Sequence, residues 1–196
     1  MIDPPIDERS RCWWAAGARP DPVMLAYHDD EWGTPVHGDA ELFERLSLEV
    51  FQAGLSWQTI LNKRAAFAAA FSGFEPAVVA RFDDRDRERL MSDASIVRNG
   101  AKIDATIANA RVALELIERH GSLDAYFRSI VPTPPVPLPA GTHDGEIPDT
   151  TPAGDALSKD LKRQGMRLVG PTVVYSFMQS VGLVDDHLPG CFRYRG

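Results

Sequence analysis

The sequence predicts an all-α protein of about eight helices broken by one long irregular insertion. Three observations carry this: apolar residues recur at three- and four-residue spacings between cap and stop residues, no stretch alternates as a half-buried strand does, and no internal repeat appears. The 196 residues, 44% of them hydrophobic and 25% charged, suffice for one core. A single domain over 1–196 is expected, with 1–11 as a flexible N-terminus.

The elements follow in order. From Asp39 to Gly54 the residues Leu42, Phe43, Leu46, Val50 and Ala53 form an apolar stripe, with Asp39 as the expected N-cap and Gly54 as the stop. Ser56 opens a second helix through Ile60, Leu61, Phe67 and Phe71, ending near Ser72-Gly73. Pro76 suits the first turn of a short helix reaching Phe82, and another runs from Asp84 to Met91. Ile103, Ile107, Ala110, Leu114 and Ile117 stripe a long helix closed by His120-Gly121, after which Ser122 caps a helix towards Val131. The proline-rich stretch 132–152 is a loop. Thr151-Pro152 then opens a helix that stops at Gly165, Val169-Gly170-Pro171-Thr172 forms a tight turn, and Val173 to Val181 is an apolar helix ended by Gly182.

No apolar run approaches the roughly 18 to 20 residues needed to cross a bilayer, and Met1 to Arg11 is acidic and proline-bearing rather than signal-like. A cytoplasmic monomer without membrane contact is expected. The formal charge is −7, yet Ala156 to Gly196 carries Lys159, Lys162, Arg163, Arg167, Arg193 and Arg195 against Asp160, Asp185 and Asp186. That asymmetry suits either a polyanion-facing side or a solvated face. The turn at Val169 to Thr172 shares the ambiguity. Glycine lets a partner approach and the next helix offers unpaired N–H groups to an anion, but ordinary helix connections look alike.

Two cysteines occur, Cys12 and Cys191, near opposite ends of the chain, and each has histidine company: His28 for the first, and His187-Leu-Pro-Gly-Cys191 for the second. One closed tetrahedral metal shell would clasp the two ends together. Buried free thiols, or a disulfide in an oxidising compartment, are the alternatives.

Glu49 lies at the edge of its helix's apolar stripe, where a carboxylate needs a paired arginine, solvent or a ligand. All four tryptophans, Trp13, Trp14, Trp32 and Trp57, fall in the first 57 residues together with Tyr27. Large aromatics usually build core. A carboxylate among electron-rich rings also suits a flat cation, at about 0.5 to 2 kcal/mol per good contact.

Taken together, Tyr27-His28-Asp29-Asp30-Glu31-Trp32-Gly33, Gln52-Ala53-Gly54-Leu55-Ser56-Trp57 and Tyr175-Ser-Phe-Met-Gln179 through Cys191 resemble the 3-methyladenine DNA glycosylase I family, from about Cys12 to Cys191. The resemblance implies a helix-hairpin-helix DNA repair fold whose hairpin, Val169, Gly170, Pro171 and Thr172, holds duplex phosphates. It implies a structural Zn²⁺ on Cys12, His28, His187 and Cys191, joining the N- and C-terminal segments. It also maps the base pocket onto Trp14, Tyr27, Glu49 and Trp57.

The implied activity is hydrolysis of the N-glycosidic bond of 3-methyladenine in alkylated double-stranded DNA, releasing the free base without lyase chemistry. Alkylation at N3 makes adenine cationic, so aromatic faces and a carboxylate can select it once it is flipped from the stack. A charge-dependent share of about 2 to 4 kcal/mol would discriminate roughly 30- to 1000-fold against neutral adenine. Glu49 and Tyr27 are the expected catalytic side chains, with Asp185 as a third candidate.

Two departures from the family pattern stand out. Val184-Asp185-Asp186-His187 replaces the usual Val-Asn-Asp-His, so Asp185 either adds negative charge near the reacting sugar or is a harmless exchange at a cap. Met24 falls where relatives can carry tyrosine. The nearest rival function is a non-catalytic binder of alkylated bases. A zinc hydrolase needs an open metal position, and HExxH is absent.

Overall fold

The computed structural model describes residues 9–17, 21–131, 134–143 and 146–196. Helices α1 (Trp13–Ala16) and α2 (Pro22–Ala26) lead into a π-helical turn, Tyr27–Glu31. Then come α3 (Asp39–Gln52), α4 (Trp57–Ala70), a 3₁₀ turn at Ser72–Phe74, α5 (Pro76–Val79), α6 (Asp84–Ser92), α7 (Gly100–His120), α8 (Leu123–Ile130), α9 (Pro152–Arg163) and α10 (Pro171–Ser180). No strand occurs among the described residues, only an isolated bridge between Pro137 and Asp185. No helix is long and apolar enough to span a membrane. The flexible terminus expected at 1–11 lies outside the described residues over 1–8, while Arg9 and Arg11 pair with Asp29.

The cap chemistry explains most boundaries. Ser56, Asn99, Ser122 and Thr151 each accept a backbone N–H of the first turn that follows, and Gly121 closes α7 in the left-handed conformation. Asp39 departs from expectation. Gly38 occupies the N-cap of α3, and Asp39 accepts the Leu123 N–H at 2.7 Å, tying α3 to the start of α8. Helix α10 begins at Pro171 rather than Val173, because proline at the first helical position needs no N–H partner.

The π-helical turn and the two short helices before α3 were not expected. Too short to show a period, they are held by tertiary contacts instead.

Fully buried Leu42, Phe43 and Phe51 of α3, Phe67 of α4, Ile103, Ala110 and Leu116 of α7, and Val174, Phe177 and Met178 of α10 form the main core. Each large side chain contributes about 1.5 to 3 kcal/mol of burial. A second, smaller cluster joins Cys12, Tyr27, Trp32, Leu61, Leu188 and Cys191. It unites segments far apart in sequence.

The join is backbone-tight: Gly33 N–H donates to Gln179 O and Val36 N–H to Val181 O. At Gly182, where φ is +67°, a Cβ would lie 2.8 Å from Pro35 N and 2.9 Å from Gly33 O, so only glycine fits. This contact sets residues 27–36 against the C-terminal end of α10.

Candidate active site

A cavity of about 410 Å³ opens between the α2–π-turn segment, α3, α4 and α10. Trp14, Tyr27, Glu49 and Trp57, the four side chains expected to form a base pocket, all line it. The ring centroids of Tyr27 and Trp57 lie 5.3 Å apart, and those of Trp14 and Tyr27 6.3 Å. Trp14 also packs edge-on against Trp32 at 5.0 Å. The geometry leaves aromatic faces around a slot of small-ligand size.

Glu49 is 5% exposed and makes no hydrogen bond or ion pair among the described residues. Burial pushes its carboxyl up to about 8, and the positive charge of Arg45 one helical turn earlier only partly opposes this. Tyr27, buried and close to Glu49, has its phenol pushed upward and stays an O–H donor. Trp57 Nε1 is a buried donor without a partner. A ligand offering both an acceptor and a positive edge would satisfy the two groups.

Beneath the pocket, Glu31 of the π-turn receives Nη2 of Arg45 and, at 2.6 Å, Nη1 of Arg64, which also reaches Glu44 at 2.8 Å. The Arg45 guanidinium lies 5.8 Å from the Tyr27 ring centroid. Glu31 and its two arginines therefore hold the π-turn on α3 and α4 and fix where Tyr27 points.

Ligand atoms of Cys12, His28, His187 and Cys191 lie within 4.8 Å of one another, all buried. Tetrahedral bonds of about 2.3 Å to sulfur and 2.05 Å to nitrogen would separate S and N ligands by about 3.6 Å. Here His28 Nε2 lies 3.4 Å from Cys191 Sγ, and His187 Nδ1 lies 3.7 Å from Cys191 Sγ and 3.8 Å from Cys12 Sγ.

The far nitrogens are also committed. His28 Nδ1 faces Asp29 Oδ1 at 2.9 Å, and His187 Nε2 faces the Trp32 carbonyl at 3.2 Å, which leaves the inward nitrogens as lone-pair donors. Burial lowers both imidazoles, His187 to about 4, so both are neutral at pH 7. The N–H groups of Leu188 and Arg193 donate to the two sulfurs at 3.4 Å, as suits thiolates. Both cysteines are free of disulfides. The donor set fits a tetrahedral metal ion.

Asp185 does not line the cavity. It is 4% exposed, its Oδ1 lacks a partner, its Oδ2 is 4.0 Å from Arg195 Nε, and burial raises its carboxyl. Its neighbour Asp186 does not line the cavity either, but is hydrogen-bonded to a residue that does. Asp186 Oδ2 accepts Tyr175 Oη–H at 2.5 Å and Gln179 Nε2–H at 2.7 Å, and Gln179 lines the cavity.

Sequence reading missed several lining residues: Gln52, Ile147, Ser176 and Gln179. Ser176 and Gln179, three apart on one helical face, were open to discovery. Ile147 was not, because it comes from the proline-rich loop. Met24 does line the wall.

The expected hairpin connects α9 to α10, with Val169 buried and Gly170 as the N-cap. From Pro171 to Ser176 is five residues, so α10 carries the chain about 7.5 Å from the hairpin to the cavity wall.

Two helices joined by a glycine-proline hairpin, the second of which closes one wall of a cavity lined by aromatic rings and a carboxylate, define a helix-hairpin-helix DNA glycosylase. Comparison with known proteins agrees. The sequence pattern of the methyladenine glycosylase family matches residues 14–194. DNA-3-methyladenine glycosylase 1 of Escherichia coli (strain K12) is 46% identical over 186 residues, covering 95% of this chain and 97% of the relative. The solved 3-methyladenine DNA glycosylase I of Staphylococcus aureus superposes with a TM-score of 0.88 at 36% identity, covering 95% of this chain and 99% of that one. A 3-methyladenine DNA glycosylase I variant solved in complex with 3-methyladenine gives 0.86 at 37% identity, covering 94% and 99%. The chain belongs to the methyladenine glycosylase family.

Proposed function

We infer that the chain is a monofunctional base-excision glycosylase that hydrolyses the bond between deoxyribose and 3-methyladenine in alkylated double-stranded DNA, and that it acts as a monomer. The observation that carries the reading is the buried, unpaired carboxylate of Glu49 at the floor of an aromatic cavity, in a chain of this family.

The flipped lesion stacks between Trp14, Tyr27 and Trp57, and its positive charge supplies what burial has taken from Glu49. A cation in the cavity favours the carboxylate over the carboxylic acid, so the bound base and an ionised Glu49 stabilise each other. Glu49 then accepts hydrogen bonds from the adenine edge, and Tyr27 orients the ring. Neutral bases leave Glu49 protonated and forgo that attraction.

Bond breaking needs little acid. The electron pair of the C1′–N9 bond passes to the base and neutralises its charge, water bonds to C1′, and its proton leaves to solvent. The products are 3-methyladenine and an abasic sugar. The hairpin of Val169, Gly170, Pro171 and Thr172 holds a backbone phosphate at the start of α10 through free backbone N–H groups, and proline, which has none, contributes its fixed φ.

Cys12, His28, His187 and Cys191 would hold Zn²⁺, which supplies a cross-link between chain ends and no open coordination position. Asp29 and Arg11 fix His28 from outside. The cluster keeps Tyr27, next to His28, registered against Gln179.

Base release from methylated duplex DNA by wild type and Glu49→Gln tests the reading. Free 3-methyladenine detected by mass spectrometry, with release slowed at least tenfold in the variant, is expected. Equal release by both overturns the role of Glu49, and binding without release by wild type favours a lesion binder.

A further inference from the structure

Asn109 sits in the middle of α7 and is 2% exposed, yet its carboxamide serves the hairpin 58 residues later. Nδ2–H donates to Arg167 O at 3.0 Å, and Oδ1 accepts Arg167 N–H at 2.7 Å. One side chain thus takes both backbone groups of one residue. From α9, buried Ser158 donates its hydroxyl to Val169 O at 2.8 Å. Between these two anchors Leu168 is held at φ +57°, a conformation disfavoured for leucine, and half of it is exposed to solvent.

The anchored carbonyls determine where the neighbouring amides point. In a trans peptide the C=O of one residue and the N–H of the next are antiparallel. With Arg167 O drawn inward to Asn109, Leu168 N–H is aimed outward, and with Val169 O drawn inward to Ser158, Gly170 N–H is aimed outward. Neither amide makes a hydrogen bond among the described residues. Gly170 itself has φ −66°, and a Cβ built there meets nothing within 4 Å, so nothing inside the protein requires glycine. The clearance is on the outside, where something comes close.

We propose that Asn109 is a positioning residue for DNA capture: with Ser158, it fixes the peptide planes of the hairpin so that the N–H groups of Leu168 and Gly170 converge on one backbone phosphate. This rests on the reading of the hairpin as the DNA-holding element. It assigns the aiming of that element to a side chain on α7, which touches neither DNA nor the base cavity. Removing the carboxamide frees the peptide between Arg167 and Leu168 to rotate, and DNA affinity falls while the base pocket is untouched.

The test uses Asn109→Ala, Ser158→Ala and Gly170→Glu in the full chain. Three quantities are read: affinity for duplex DNA carrying a stable abasic-site analogue, affinity for free 3-methyladenine by tryptophan fluorescence, and the single-turnover rate at saturating methylated DNA. Asn109→Ala is expected to weaken duplex binding about tenfold, with free-base affinity and the saturated rate within twofold of wild type. Ser158→Ala, which removes one hydrogen bond, is expected to give a smaller shift in the same direction and supplies the answer if Asn109→Ala does not fold. Unchanged duplex affinity in these variants, while Gly170→Glu loses it, overturns the positioning role alone. Parallel loss of duplex and free-base affinity makes Asn109 merely structural and overturns it as well. Unchanged affinity in Gly170→Glu fails the hairpin reading and this proposal with it.

Discussion

The sulfur of Cys191 lies 3.4 Å from Nε2 of His28, although 163 residues separate them in the chain. Closure over that span is entropically expensive for the chain. Four ligand atoms lie within 4.8 Å of one another there, with both outer imidazole nitrogens already committed, an arrangement that fits a metal cross-link.

Metal removal is therefore expected to destabilise the fold without abolishing chemistry at once. Losing such a cross-link at about 3 to 5 kcal/mol lowers Tm by roughly 6 to 20 °C in a domain of this size. Thermal melting after chelation, and of Cys191→Ser, checks this. The metal itself is expected by elemental analysis at one Zn²⁺ per chain.

Buried Glu49 makes the stability of the free protein depend on pH. Its carboxyl is pushed up to about 8 in the folded protein, against an ordinary value near 4.5. Between those values the unfolded chain is ionised while the folded chain keeps its proton, so folding stability falls as pH rises from about 4.5 to 8. Glu49→Gln removes that dependence. The free variant is expected to equal wild type near pH 4.5 and to exceed it by about 4 kcal/mol near pH 8. Denaturant titrations at both pH values read the difference.

The legible part of this molecule is the part with a period or a motif. The existence of α3, α4 and α7 followed from apolar residues recurring on one face between caps, and that of α9 and α10 from a cap, proline and glycine stops around their apolar residues. The four-residue α1 and the π-turn have no room for a period, and only the cysteine, histidine and aromatic residues within them signalled importance. Glu49 was placed near the core by spacing, yet only the fold brings Trp14, Tyr27 and Trp57 around it. Ile147 and the Asn109 contact to Arg167 depend on long-range packing, which no local pattern encodes.

Trp57 is expected to contribute through its face. Stacking of a base on an aromatic ring is worth about 1 to 3 kcal/mol, so Trp57→Ala weakens binding of free 3-methyladenine roughly 5- to 150-fold. Because Trp57 packs at 5.3 Å from Tyr27, the loss also loosens that ring. Trp57→Phe keeps a face but not the unpartnered Nε1, and the gap between the two variants, measured by isothermal titration, reports what that donor adds.

Asp185 and Asp186 are adjacent in sequence and opposed in consequence. Asp185 faces Arg195 away from the cavity with one oxygen unpartnered, so Asp185→Asn is expected to leave the single-turnover rate of base release within twofold of wild type. The amide also relieves a buried, poorly paired carboxyl, so stability holds or rises. Asp186 receives hydrogen bonds from Tyr175 and Gln179, which fixes Gln179 against the cavity. Both donors meet the same oxygen, Oδ2, so Asp186→Ala removes the acceptor of both and costs about 1 to 3 kcal/mol through unsatisfied buried groups. Released to rotate, Gln179 no longer presents one edge to the base, and release is expected to slow about tenfold. Single-turnover assays of both variants at saturating DNA decide which of the two carboxylates serves the reaction: a drop in Asp185→Asn with none in Asp186→Ala would reverse the assignment.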